Sequence, residues 1–288
     1  MRISTKIMIC FCAGAMLLSC KAFRGNNQVK TNQTKLAKLD FNMGIALYSF
    51  NPKLFSEALA MADSAKVNDV EGFSSQKLGS AFNNQTLGAI GKNDIDKVKE
   101  LLKKKGLKMN SMFMGGKNAD DWKRVFELGH NLGLKYIVCE PAKKYWDLID
   151  SLTAVYKIKV AIHEHAKGYS NFWHPDSVLV ALKGHPNMGV CADLGHWARS
   201  GLDVVECLRK LEGHILELHI KDVDELGNKD ARDVDLGKGV IDYKAVLTEL
   251  KRQKFKGNAY VECEQNMGKN LKEVKRAITY IQNLATER

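Results

Sequence analysis

The residues with the clearest chemical potential in this 288-residue chain are His163, Glu164 and His165, in which a short apolar run ends within the stretch 160–167. His163 and His165 are two apart, so on an extended strand they point to the same side, and Glu164 points to the other. An apolar run of this kind reads as a strand buried on both faces. Imidazoles and carboxylates at the end of such a strand are costly to bury without partners. Further strand-like segments end in more of them: Asp193 with His196, then His219, then Glu262 and Glu264. A scaffold that brings these groups together would hold one metal ion.

That scaffold is legible in the spacing. From residue 44 on, short apolar runs alternate with segments of helical period: strands at 44–49, 67–73, 107–114, 134–139, 159–163, 188–192, 215–220 and 259–264, each followed by a helix. Eight strand–helix units over about 245 residues predict an α/β fold, a (β/α)8 TIM barrel. An open doubly wound sheet is disfavoured because no glycine-rich phosphate fingerprint follows the first strand. In a barrel, moreover, the polar strand ends meet at one mouth. After Asp193 a loop containing Arg199 is expected, and residues 222–242 read as a long polar loop.

The strand ends Val-Cys-Ala-Asp193-Leu-Gly-His196, Glu217-Leu-His219-Ile-Lys221-Asp222 and Tyr260-Val-Glu262-Cys-Glu264, together with His163-Glu164-His165, resemble those of the xylose isomerase-like barrels, the sugar phosphate isomerase/epimerase superfamily. The resemblance covers about residues 41–285. It implies a divalent metal held by His163, Asp193, His219 and Glu262. The sequence departs from the pattern at one ligand: isomerases and epimerases of this type usually carry Glu where this chain has His163. A proton shuttle between two Glu ligands therefore does not transfer.

Two imidazoles with two carboxylates suit Mn, Zn, Co or Fe better than Mg or Ca. Such an ion would acidify a C–H beside a carbonyl, and a nearby base would take the proton. The candidates for proton transfer are Glu262, Glu140, His165 and Lys221, with Lys221 also able to stabilise an enediolate oxygen. Glu140 could equally be a structural acceptor, Glu264 an orienting or rim residue, and Glu71 is a weaker candidate. His196, Arg199 and Trp173 are the expected substrate contacts: His196 lines the pocket or caps the next segment, Arg199 holds a hydroxyl or anion, and Trp173 covers a sugar face. No phosphate nest is evident, so the substrate need not be phosphorylated.

The expected activity is therefore a metal-dependent sugar or cyclitol isomerase or epimerase. A lyase or dehydratase on a keto-sugar is the rival, and a non-catalytic sugar-binding lipoprotein the alternative outside enzymes. A related DNA-repair endonuclease fits less well, since it would need a richer set of metal ligands.

Residues 1–19 have a basic start and a short apolar stretch that ends in Leu17-Leu18-Ser19-Cys20, which resembles a bacterial lipoprotein signal. It implies a lipid on Cys20, a flexible tether over 20–40, a barrel over 41–288, and a place in the cell envelope. The formal net charge is +11, yet the lysines are scattered and no nucleic-acid motif is present, so a solvated basic surface is expected rather than a nucleic-acid partner. Cys139, Cys191, Cys207 and Cys263 read as buried free thiols.

Overall fold

The computed structural model describes residues 39–286. Cys20, the signal and nearly all of the tether lie outside the described residues. The eight barrel strands run Asn42–Ala46, Asp69–Phe73, Lys108–Phe113, Tyr136–Cys139, Lys159–His163, Met188–Asp193, Ile215–Ile220 and Asn258–Val261. All neighbours are parallel, and the first strand pairs with the last from Asn42↔Asn258 to Ile45↔Val261, closing the sheet. Closure buries both faces of a strand, which is why Met188–Asp193 is buried at all six positions.

The helices between the strands are set by apolar stripes and end signals. Ala119–Leu132 turns Trp122, Phe126, Gly129 and Leu132 inward. Asn118 Oδ1 accepts the Asp121 amide at its start, and Gly133, at φ 79°, ends it in the left-handed region. Lys92–Lys104 buries Ile95, Val98 and Leu102. Its lysines face solvent, where Lys97 and Lys104 pair with Asp94 and Glu100. Among the described residues, no helix is long and apolar enough to cross a membrane.

Two expected loops are structured. Leu194–Arg199 is a helix leaving the sixth strand directly. Asp193 Oδ1 caps it by accepting the His196 amide at 2.9 Å, and Leu194, Trp197 and Ala198 are fully buried. Within 222–242, Asp222–Val223 and Asp233–Val234 pair antiparallel. Asp222 stabilises that loop by accepting the Gly237 and Gly239 amides, each at 3.0 Å. The first strand also stops sooner than expected, because Leu47–Phe50 winds into a 3-10 turn.

On the outer layer, Glu249 of helix Tyr243–Arg252 accepts bonds from Arg252, Gln253 and Arg209, the last reaching over from helix Val204–Lys210. The Arg252 bond is the main reason its carboxyl is pulled from the ordinary 4.5 down to about 2. A depressed carboxylate stabilises the fold above its unfolded pKa and loses that contribution as pH falls through the folded one. Glu249→Gln should therefore flatten the loss of stability between pH 4.5 and about 2, as read from urea midpoints at stepped pH. An unchanged slope would show that the cluster is neutral to folding.

Candidate metal centre

The barrel register sets the site. Asp193 lies directly beside His219 in the sixth–seventh strand pairing, and His219 beside Tyr260 in the next. Glu262 follows the end of the eighth strand, and its amide donates to Ile220 O at 3.0 Å. His163 pairs with Cys191, so it shares the inward parity of Asp193.

The two histidines are held in the same way. His219 Nε2 donates to Glu71 Oε1 at 2.9 Å, and His163 Nδ1 donates to Glu140 Oε1 at 3.0 Å. Each ring then presents its other nitrogen to Asp193 Oδ2: His163 Nε2 at 3.6 Å and His219 Nδ1 at 3.5 Å. Glu262 Oε2 is 3.2 Å from His219 Nδ1. His219 Nδ1 is buried and makes no hydrogen bond, and Asp193 Oδ2, equally buried, has the Lys221 ammonium at 3.1 Å. Donor atoms of His163, Asp193 and His219 lie within 4.8 Å of one another.

A buried imidazole nitrogen without a hydrogen bond is costly, and an ion would satisfy it. A carboxylate behind each imidazole is the usual support for a metal-bound histidine. The residues present therefore fit a divalent transition metal, with His163, Asp193, His219 and Glu262 able to hold it. Glu71, Cys191 and His219 also cluster, but Glu71 already holds His219 Nε2. Burial keeps the Cys191 thiol well above its ordinary pKa, whereas a ligand must be a thiolate.

Charge in the centre is balanced by protons and one ammonium. Burial works against an imidazolium at His163, but its bonds to Asp193 and Glu140 prevail and push it up to about 9. Burial likewise opposes charge on His219, yet the Glu71 and Glu262 carboxylates outweigh it and raise it well above 6.5. Burial opposes ionisation of Asp193 too, and the Lys221 charge, with the His163 and His219 rings beside it, more than reverses that. Metal binding would release the ligand protons.

Under the centre, Glu71 Oε2 accepts from Ser111 Oγ at 3.2 Å. Glu217 is fully buried there with both oxygens unpartnered. Burial first, then the Glu71 charge, holds its carboxyl well above 4.5, so it stays protonated.

Above the ligands opens a cavity of about 310 Å³. His163, His165, His196, His219, Glu71, Glu140, Glu262 and Glu264 reach it, with Tyr48, Phe73 and Phe113 as aromatic wall. The closed barrel thus brings together His163, His165, His196, His219, Glu140 and Glu262, with Asp193 alongside. Three other sequence-selected residues stand elsewhere. Lys221 is 1% exposed and lies outside the cavity lining, between carboxylates. Arg199 is turned away: its Nε donates to Ala231 O at 3.0 Å and its Nη2 to Asp233 Oδ1 at 2.5 Å. It is the folding back of the 222–242 segment that ties up its guanidinium. Trp173 is outside the lining too, stacked under Lys167 at 4.8 Å. Glu164 points into the helix layer at 0% exposure, where burial pushes its carboxyl up to about 8.

Sequence reasoning underrated Glu71 and passed over Tyr48, Phe73 and Phe113. Parity could have found Glu71, the polar residue inside the second strand, but the aromatic wall carries no such mark.

Residues 71–284 match the xylose isomerase-like TIM barrel family. The chain belongs to that family. No curated protein matches it. Among solved structures, this xylose isomerase-like barrel is 30% identical to an uncharacterised protein of Parabacteroides distasonis ATCC 8503, covering 85% of this chain and 99% of that one with a TM-score of 0.66. It superposes on a D-tagatose 3-epimerase-like protein with TM-score 0.69 at 15% identity, covering 86% and 99%. The IOLI protein, whose structure holds a zinc atom, also gives 0.69, at 17% identity and the same coverage.

Proposed function

We propose that this barrel is a divalent-metal enzyme that isomerises or epimerises a sugar or cyclitol by removing the proton beside a carbonyl. The observation that carries the reading is the convergence of His163, Asp193 and His219, whose donor atoms lie within 4.8 Å of one another beside a cavity sized for a small molecule. When bound, the ion supplies Lewis acidity toward a carbonyl oxygen. The D-tagatose 3-epimerase-like neighbour supports the reaction class, and the zinc-bearing IOLI protein supports the metal.

The proton is assigned to His165. Its ring lines the cavity, and burial followed by the His163 charge lowers its pKa below 6.5, so it is a neutral acceptor at pH 7. Glu140 Oε1, 3.8 Å from His165 Nδ1, offers a counter-charge to the imidazolium formed. Glu264 reaches the same cavity from the segment after the eighth strand and can return a proton from another direction. Glu262 suits a ligand better than a base. Burial opposes its charge, yet Lys221 and His219 hold its carboxyl far below 4.5. Tyr48, Phe73 and Phe113 cover an apolar sugar face and exclude water.

A lyase acting on a keto-sugar shares the first step, and His163 at a position usually Glu favours it. Export with a lipid on Cys20 would place either activity in a bacterial envelope. Metal-loaded protein in D₂O with a panel of keto-sugars should put deuterium at the exchanged carbon. Product mass from the same reaction in H₂O then separates the readings: unchanged for an isomerase or epimerase, lower by water for a dehydratase, and lower by the aglycone for a glycoside lyase. Tight sugar binding without exchange would instead identify a binding protein.

A further inference from the structure

Lys221 has no part in the chemistry above, yet its position is built with care. Its ammonium lies 3.1 Å from Asp193 Oδ2, 2.6 Å from Glu262 Oε2 and 2.7 Å from Glu264 Oε1. The first two are the same oxygens that face the free nitrogens of His163 and His219. Room for the lysine stem comes from Gly195, where a Cβ would lie 2.2 Å from Lys221 Cγ and 2.6 Å from Cδ. Tyr243 fixes the backbone by donating its hydroxyl to Lys221 O at 2.7 Å. Glu264 differs from the other two carboxylates in exposure: its side chain is 31% exposed, against 10% for Glu262 and 0% for Asp193.

We propose that Lys221 is a resident counter-cation that neutralises Asp193 and Glu262 in the metal-free barrel, competes with the entering ion for their oxygens, and passes to Glu264 when the ion binds. This rests on the metal-centre reading. Buried carboxylates without a cation would be strongly disfavoured, so the lysine offsets the charge of Asp193 and Glu262. The same charge repels a divalent ion in a poorly screened interior. Glu264 gives the displaced ammonium a partner, which links metal occupancy to a residue at the substrate wall.

Calorimetric titration of chelator-stripped protein with Mn²⁺ tests this. Lys221→Gln should bind Mn²⁺ at least about 10-fold more tightly, because the repulsion is gone. Glu264→Gln should bind it several-fold more weakly, because the ammonium has no second partner and stays on Asp193 and Glu262. In the double variant the Glu264→Gln effect should vanish. Unchanged or weaker binding by Lys221→Gln would overturn the proposal, as would a Glu264→Gln effect that persists in the double variant. Should Lys221→Gln fail to fold, partly exposed Glu264→Gln decides alone: affinity equal to or above wild type refutes the role. Wild type that takes up no Mn²⁺ overturns the metal-centre reading itself, whereas wild type that binds it with Lys221→Gln no tighter overturns only the role of Lys221.

Discussion

His219→Ala should leave the barrel folded but without its divalent ion, and should lower deuterium exchange into substrate by at least ~10³-fold. The substitution removes an unpartnered nitrogen placed 3.5 Å from Asp193 Oδ2 and 3.2 Å from Glu262 Oε2. It also leaves Glu71 without the Nε2–H it accepts. Glu71→Gln separates the two effects. It keeps the nitrogen but weakens the bond that orients the ring, so a milder loss of about 10–100-fold in metal affinity is expected. Metal content of dialysed protein, measured by elemental mass spectrometry, is the check. Full metal occupancy in His219→Ala would remove His219 from the ligand set, and equal losses in both variants would mean that Glu71 does more than orient.

His165→Ala should lower the exchange rate by roughly 10²–10⁴-fold while metal content stays that of wild type. His165 is bound to the centre only indirectly, through Glu140, whose Oε1 is 3.0 Å from His163 Nδ1 and 3.8 Å from His165 Nδ1. Its ring lies against His196, 4.1 Å between centroids, which holds it over the cavity. Because burial depresses its pKa, the rate should rise with pH through a value below 6.5 and then level off, and that rise should be missing in the variant. A variant that keeps both the rate and the rise would move the base to Glu140 or Glu264.

The strand pattern of this fold is legible because a barrel strand leaves two marks at once: an apolar run buried on both faces, and a polar group at the end that reaches the mouth. Asp193 and His219 show the second mark and end up as register partners. Parity did further work, separating His163 from Glu164 without any structure. It said nothing about contacts set by loop folding. Arg199 reads as a free guanidinium on a loop, and only the return of residues 222–242 shows that Asp233 and Ala231 take it. Lys221 has the inward parity expected of it. Parity does not say how high a side chain stops, and three carboxylates hold this one below the cavity. The aromatic wall comes from two strand ends and one 3-10 turn that are far apart in the chain, with no spacing to relate them.

The four cysteines of the barrel have a consequence for its surroundings. Cys139, Cys191, Cys207 and Cys263 are all buried and unpaired. Burial keeps each thiol protonated, with Cys207 pushed up to about 12 and Cys263 to about 11. Disulfide exchange proceeds through the thiolate and needs access to it. While the barrel is folded, these four thiols are therefore expected to react slowly with thiols or disulfides around it, whether the milieu is reducing or oxidising.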